Sequence, residues 1–334
     1  MEVYLRISGS ISSEQLTGLG FHLNADDAHI FKAKPVARKF WFMDKLPVRL
    51  YAAFAADERG GNIGAVVFED GPLWPDARQR IASDLGAPTT GFVRKVSDKE
   101  FQTRFHSKWS EMDMCGHVTL AVFAALRDDK RIEPDTYIQQ TSAGGIVVDV
   151  ASDGFVTMRQ PLPKFDLCEV GSGDLAANLG LEADALKRVS TASTALRHVF
   201  VQLEDLETLA SIRPDDAALR GFCRDFAIDT IGVWCSTYKG LGKTKLRLRD
   251  LCHGVGDPEE AASGTTNSAL ACELVRSRYL TPGASGQAVV VAEQGVEMGR
   301  PSIVRTVLNT SNGEITDVSV GGYAALRMTG DVVL

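Results

Sequence analysis

Two short stretches of the chain each place a small nucleophile-type side chain, and then a glycine, at the start of an apolar helix. Met114-Cys115-Gly116-His117 leads into VTLAVFAALRDD, and Ser263-Gly264-Thr265-Thr266 leads into NSALACELVRSRYL. A helix start carries unpaired backbone N–H groups and the positive end of the helix dipole. It therefore attracts carboxylates and favours the thiolate of a cysteine placed there. If two such starts face each other, the N–H groups of Gly116, His117, Gly264 and Thr265 can hold a carboxylate between two acid–base groups. That arrangement suits proton transfer at the carbon α to the carboxylate, which needs donors for the growing negative charge and a dry, close base. No cofactor and no metal is needed for it.

Each side chain has a functional and a plainer reading. Cys115 is the candidate base as a thiolate of lowered pKa, or a small buried residue at a helix cap. Ser263 is a weak base without an activating neighbour, and serine caps helices well, so it either moves a proton or caps and binds substrate. His117 contacts substrate or is structural. Glu111 orients His117, binds a substrate amine, or is an exposed loop charge. Glu260, just before the second helix start, acts as acid or base, or is there because the dipole favours acidic residues. Asn62 follows two glycines, so it lines the cleft or simply sits in a turn. Thr265 and Thr266 complete the candidate substrate-binding set.

The elements around these positions repeat. RLYAAFA and IGAVVFE read as strands joined by the turn Asp57–Asn62, PLWPDARQRIASDL reads as an amphipathic helix, and TGFVRKV and FQTRFHS read as strands before the Cys115 helix. GGIVVDVAS and GFVTMRQP predict a hairpin turning at Asp153-Gly154. HVFVQLE, the helix DDAALRGFCRDF, and the strands TIGVWCST and TKLRLRDL then lead to the Ser263 helix. The tail from residue 287 is strand-like throughout, and its last strand is expected to cross back to the first half. Before residue 49, strands over residues 1–10 and 29–45 flank a short helical stretch. This order predicts an α+β protein of two similar halves, residues 1–145 plus 320–334 and residues 146–319, with 1–48 an extension.

Composition sets the outer limits. The 334 residues are 44% hydrophobic and 24% charged, as in ordinary globular proteins, and the length favours two domains. A net charge of −7 argues against a nucleic-acid surface, and no apolar run reaches the roughly 20 residues of a membrane span. The N-terminus lacks the basic start and apolar core of a signal peptide, so a cytosolic location is expected. The six cysteines form no CxxC pair and are expected to be free thiols without structural zinc. GLGK at residues 240–243 lacks the spacing of a phosphate-binding loop.

Five segments, in order, resemble the phenazine-biosynthesis isomerase-like (PhzF-like) branch of the diaminopimelate epimerase and proline racemase superfamily. Gly60–Val67 resembles its GNPAAVV turn, Pro88–Val93 its SETAFV strand and Glu111–Ala121 its CGHATLA helix start. Arg249–Leu270 resembles the stretch ending in EDPATGSA, and Gly295–Ser302 its late QG…MGRPS segment. The resemblance covers about residues 49–334. It implies two pseudo-symmetric domains, each a curved, mostly antiparallel, barrel-like sheet around a central helix, with the active site in the cleft between them. A homodimer is compatible with it. The family's acid–base Glu in SETAFV is replaced by Thr89, the EDP aspartate by Glu260, and the second cysteine of the wider superfamily's epimerases by Ser263. The implied activity is a cofactor-independent isomerase acting on a small carboxylate-bearing amino or hydroxy acid, either by epimerisation or by a double-bond shift, with Cys115 as base. The alternatives are a lyase similar to the one-thiol hydroxyproline dehydratases and a non-catalytic binding protein that kept the fold.

Overall fold

The computed structural model describes residues Lys45–Val333 except Asp70 and Pro72, so the elements expected before Lys45 lie outside the described residues. The chain first forms β1 (Lys45–Ala53) and β2 (Asn62–Phe68), paired antiparallel. Helix α1 (Pro75–Leu85) carries it to β3 (Thr89–Ser97), which is parallel to β2. Parallel neighbours need such a crossover, whereas antiparallel ones need only a turn. β4 (Glu100–His106) pairs antiparallel with β3, and the short β5 (Glu111–Met112) pairs with β4. Helix α2 (Gly116–Asp128) then crosses to β6 (Asp135–Thr141), parallel to β4, and β7 (Gly144–Val150) and β8 (Val156–Arg159) follow antiparallel.

The second half repeats these pairings strand for strand. After β9 (Lys164–Phe165) and α3 (Ser172–Leu179), β10 (Arg188–Ser193) pairs antiparallel with β11 (Arg197–Gln202). Helices α4 (Leu206–Ser211) and α5 (Asp216–Phe226) lead to β12 (Thr230–Gly240), parallel to β11, and β13 (Lys243–Leu251) returns antiparallel. Helix α6 (Gly264–Arg276) then crosses to β14 (Gln287–Gln294), parallel to β13, and β15 (Ser302–Ser311) and β16 (Glu314–Gly322) close the set.

The halves join where β8 pairs with β16, Met158 opposite Val320. Each half also lends its tail to the other. β9 pairs with β10, and the last strand, β17 (Ala324–Val333), returns to β1. The predicted return of the final strand is thus seen, and it has a counterpart after β8. The pairing runs unbroken across residue 145, from β6 into β7 and β8. By strand pairing, then, the chain passes between halves after Arg159. The expected hairpin turn is present, with Gly154 in the left-handed region at φ 86°. Residues 240–243 are a hairpin turn between β12 and β13, with Gly242 at φ 67°.

Burial explains the two central helices. Every residue of α2 from His117 to Leu126 is buried, the signature of a helix wrapped on all sides. Val118, Val122 and Phe123 pack there with Tyr51, Phe101 and Tyr137. Helix α6 is as deeply buried but carries polar residues, most of whose polar groups are partnered. Asn267 Nδ2 donates to the Ser263 carbonyl (2.7 Å), Ser268 Oγ to the Gly264 carbonyl (2.8 Å), and Arg188 Nη2 to Glu273 Oε1 (2.6 Å). A third core lies under α3, α4 and α5, against β11 and β12. Among the described residues no helix is long and apolar enough to cross a membrane.

Candidate active site

The two central helices begin at one place. A methyl group built on Gly116 would lie 2.8 Å from Met158 Cε, and one built on Gly264 would lie 2.9 Å from the same atom. Both starts therefore abut the β8–β16 seam, where the terminal methyl of Met158 packs against the backbone of each. The capping residues match in conformation, with Cys115 at φ −144°, ψ 115° and Ser263 at φ −131°, ψ 118°. Both are extended, as an N-cap requires.

Asn62 ties the starts together. Its Nδ2 donates to Glu260 Oε1 (3.0 Å) and to the Ala262 carbonyl (3.2 Å), and lies 3.2 Å from His117 Nδ1. His117 Nδ1 is in turn 3.5 Å from Cys115 Sγ and 3.8 Å from Glu260 Oε1. Cys115, His117, Asn62 and Glu260 thus share one contact group. The late segment completes its wall: Arg300 Nη2 donates to the Gly61 carbonyl (2.8 Å), and Gly61 N donates to Ser302 Oγ (3.2 Å). The early turn and the late motif, 239 residues apart, meet here.

The second start is held from behind. Thr266 N donates to Ser263 Oγ (3.3 Å), a capping bond, and Ser263 Oγ is 3.1 Å from Thr265 Oγ1. Gln294 Oε1 accepts from Ser263 N (3.3 Å) and Asn267 Nδ2 (2.8 Å), while Gln294 Nε2 donates to the Glu260 carbonyl (2.8 Å). Thr266 is fully buried, and its hydroxyl lies 2.7 Å from Asp250 Oδ2 and 2.9 Å from Ser263 Oγ. Asp250, Cys252 and Glu260 bring polar atoms within 4.8 Å of one another. Beside them, Cys252 Sγ donates to the Asp250 carbonyl (3.3 Å). Glu111 stands apart: its ion-pair partner is Arg104 (3.7 Å), and its side chain is half exposed.

Burial sets the charges. Cys115 is 7% exposed, and desolvation pushes its thiol up to about 12, with the Glu260 charge adding to the rise. The N–H groups of Val118 and His117 and the Thr89 hydroxyl offset this only in part. The expectation of a lowered thiol pKa is therefore corrected. The helix end is there, but the cost of a buried anion outweighs it. His117 is held down at about 4 by burial and by the Arg300 charge, so it is neutral. Burial and the Asp250 carboxylate push Glu260 up to about 8, tempered by the third of its side chain that remains open. Burial raises Asp250 to about 6, against the hydrogen bonds it accepts from Thr266 and Thr230.

Residues 51–330 match the family model described as phenazine biosynthesis-like protein. The chain belongs to that family. It is 30% identical to a Deinococcus radiodurans protein named an uncharacterized isomerase, over 88% of this chain and 97% of that one. It is 29% identical to the Pseudomonas aeruginosa trans-2,3-dihydro-3-hydroxyanthranilate isomerase, over 84% of this chain and 97% of that one. The crystal structure of a Bacillus anthracis phenazine biosynthesis protein of the PhzF family shares the fold. Its TM-score is 0.77 at 22% identity, covering 87% of this chain and all of that one. The protein is accordingly an isomerase of the phenazine biosynthesis-like family.

Within this family member, Thr89 is buried and its hydroxyl faces the Cys115 thiol, so the position that resembles the family's Glu does reach the site. Sequence reasoning missed Asp250, Gln294 and Arg300. Gln294 and Arg300 carried a signal, because they flank or fall within the late motif. Asp250 lies at the start of the Arg249–Leu270 stretch, but it occupies a strand position at which a core residue is expected.

The same burial makes stability depend on pH. His117 and the fully buried His198, at about 4 and 3, refuse protons that the unfolded imidazoles take up from about 6.5 downward. Stability is lost as pH falls through that range. Glu260 and Asp250 act oppositely. Their contribution is present below the unfolded carboxylate range and is lost as pH rises through about 6 and about 8. Thermal unfolding midpoints are expected to fall from pH 7 to pH 9, and to fall less in Glu260→Gln. Equal slopes for the two proteins would place the raised carboxyl elsewhere.

Proposed function

We propose that this isomerase moves a proton at the carbon α to a carboxylate of a small amino or hydroxy acid, without a cofactor. The product is an epimer or a shifted double bond. The observation that carries the reading is the meeting of two helix starts at Met158, with Asn62 bridging His117 of one to Glu260 of the other. The N–H groups of Gly116, His117, Gly264 and Thr265 bind the substrate carboxylate and stabilise the charge that builds on it. Cys115 is the proton-transfer group on one face. It rests as a thiol and donates its proton, or it becomes the base once Glu260 has drawn that proton through His117 Nδ1. His117, neutral at rest, links the two groups.

The Pseudomonas aeruginosa relative is named for trans-2,3-dihydro-3-hydroxyanthranilate. Thr89 cannot carry a proton as the family's Glu does, so proton traffic here runs through Cys115 and Glu260. We therefore assign this chain a different small acid. Purified protein in deuterated water, given a panel of cyclic and acyclic amino acids, 2-hydroxy acids and that dihydroanthranilate, is expected to place deuterium at the α carbon of one of them. Metal, pyridoxal phosphate and nucleotide are omitted. No exchange across the panel would falsify the reading. A keto acid or imine product in place of an isomer would instead favour elimination, which the hydroxyl at Ser263 suits better than a second thiol would.

A further inference from the structure

We propose that Ser263, Thr266 and Asp250 form a second proton-transfer arm, with Asp250 as the proton store behind Ser263, so that the site works from two faces. The inference rests on the proton-transfer reading above. Its geometry is a continuous line of oxygens: Ser263 Oγ lies 2.9 Å from Thr266 Oγ1, which lies 2.7 Å from Asp250 Oδ2. Thr266 has one hydroxyl proton for two neighbours. When Asp250 is ionised that proton goes to the carboxylate, so the Ser263 hydroxyl donates to Thr266. Of the two lone pairs of Ser263, one then accepts from Thr266 N–H and the other is free for the Thr265 hydroxyl or for the cleft.

The groups around Asp250 support a charge that can change. It is fully buried, and its Oδ1 has no hydrogen-bond partner among the described residues. Facing it are Glu260, whose N–H donates to the Asp250 carbonyl (3.0 Å), and the Cys252 thiol from the end of its own strand. Thr230 of β12 hydrogen-bonds it as well, and the Thr230 hydroxyl lies 2.7 Å from the neutral His198. Burial is the largest influence on it, and the carboxyl titrates near 6. Glu260, behind Cys115, titrates near 8. Between those values the Cys115 arm holds its proton and the Ser263 arm lacks one. Two carboxyls pushed apart in this way define an acid and a base.

The step balances. The substrate Cα–H bond breaks, and its electron pair stays on the substrate, spread into the carboxylate held by the helix starts. The proton forms an O–H bond on Ser263 as that residue's own proton moves to Thr266. The Thr266 proton moves to Asp250, which becomes neutral. The Cys115 thiol then protonates the opposite face of the carbon, and Glu260 returns a proton to the thiolate through His117. The site is thereby an epimerase or racemase site and not a one-base site.

Neutron diffraction on the deuterated full chain tests the arm without any substrate. At a pD well above the Asp250 value, the Thr266 deuteron is expected on the Asp250 side and that of Ser263 on the Thr266 side. At a pD well below it, the carboxyl carries a deuteron and Thr266 turns to Ser263. Identical orientations at both would overturn the arm. With an acid that exchanges in the panel, Thr266→Val and Asp250→Asn are expected to slow exchange about a hundredfold and erase the acidic limb of the pH profile. Thr266→Ser is expected to restore both, and near-isosteric Thr266→Val keeps the test valid should Asp250→Asn not fold. Wild-type rates in Thr266→Val would sink the proposal. Hydroxyls that reverse in a protein exchanging no acid would instead leave the arm standing and remove the proton-transfer function.

Discussion

Cys115→Ala is expected to lower the rate of α-proton exchange by about two to four orders of magnitude, the range for loss of a positioned acid–base group. The thiol is the group nearest His117 Nδ1 at the first helix start, and alanine leaves nothing there to carry a proton. Cys115→Ser is expected to be nearly as poor, because a hydroxyl is far less acidic than even a thiol raised to about 12. Both variants should melt close to the wild type, since either side chain fits the space of the sulfur. Burial adds a second expectation. A thiol 7% exposed and protonated at neutral pH alkylates slowly, whereas a site cysteine with a lowered pKa would react fast. Full activity in Cys115→Ala would move the proton-transfer role to another residue, whereas alkylation of Cys115 within minutes at neutral pH would show that its thiol is not held protonated.

Glu260→Gln is expected to cost about two to three orders and to change the shape of the pH profile. In the direction in which Cys115 donates, Glu260 must be protonated to restore the thiol. Activity should therefore fall as pH rises through about 8. Glutamine keeps the volume of the side chain and an oxygen for Asn62 Nδ2, so the 3.0 Å bond can persist while the titration disappears. The remaining activity should be flat through that range. A limb near 8 that survives in Glu260→Gln would belong to another group, with Cys115 itself the first to examine by its own variant. Asn62→Ala should move the same limb to higher pH, because it removes a hydrogen bond that favours the Glu260 carboxylate.

Much of the fold is legible in local pattern. The strand–helix order occurs twice because each half buries one helix inside a curved sheet, and both helices have few exposed positions. The late return of β17 is legible because its strand-like tail has no unpaired partner left in the second half. The longer strands that escape reading are β6 and β10, alongside the two-residue β5 and β9. DTYIQQT and RVSTAS are polar, and they are strands because β4 and β11 offer them free ladder edges, not because of their own alternation. Glu111 shows the opposite failure. It lies within a motif that resembles the family's, yet β5 aims it at Arg104.

The sequence by itself marked the two helix starts, each a small capping residue followed by glycine. It also named Glu260 and His117 as candidates beside them, each with a plainer structural reading. Only the tertiary structure decided their charges and partners. Helix-end logic alone favours a thiolate at Cys115. Burial reverses the sign, because desolvating an anion costs more than a few backbone N–H groups return. Asp250 precedes Ser263 by thirteen residues on a different element, and nothing local connects them. The pairing of β12 with β13 and the packing of α6 against them bring Thr266 within 2.7 Å of its carboxylate. Proton chemistry depends on such distances and on the absence of water, and both are properties of the packed chain.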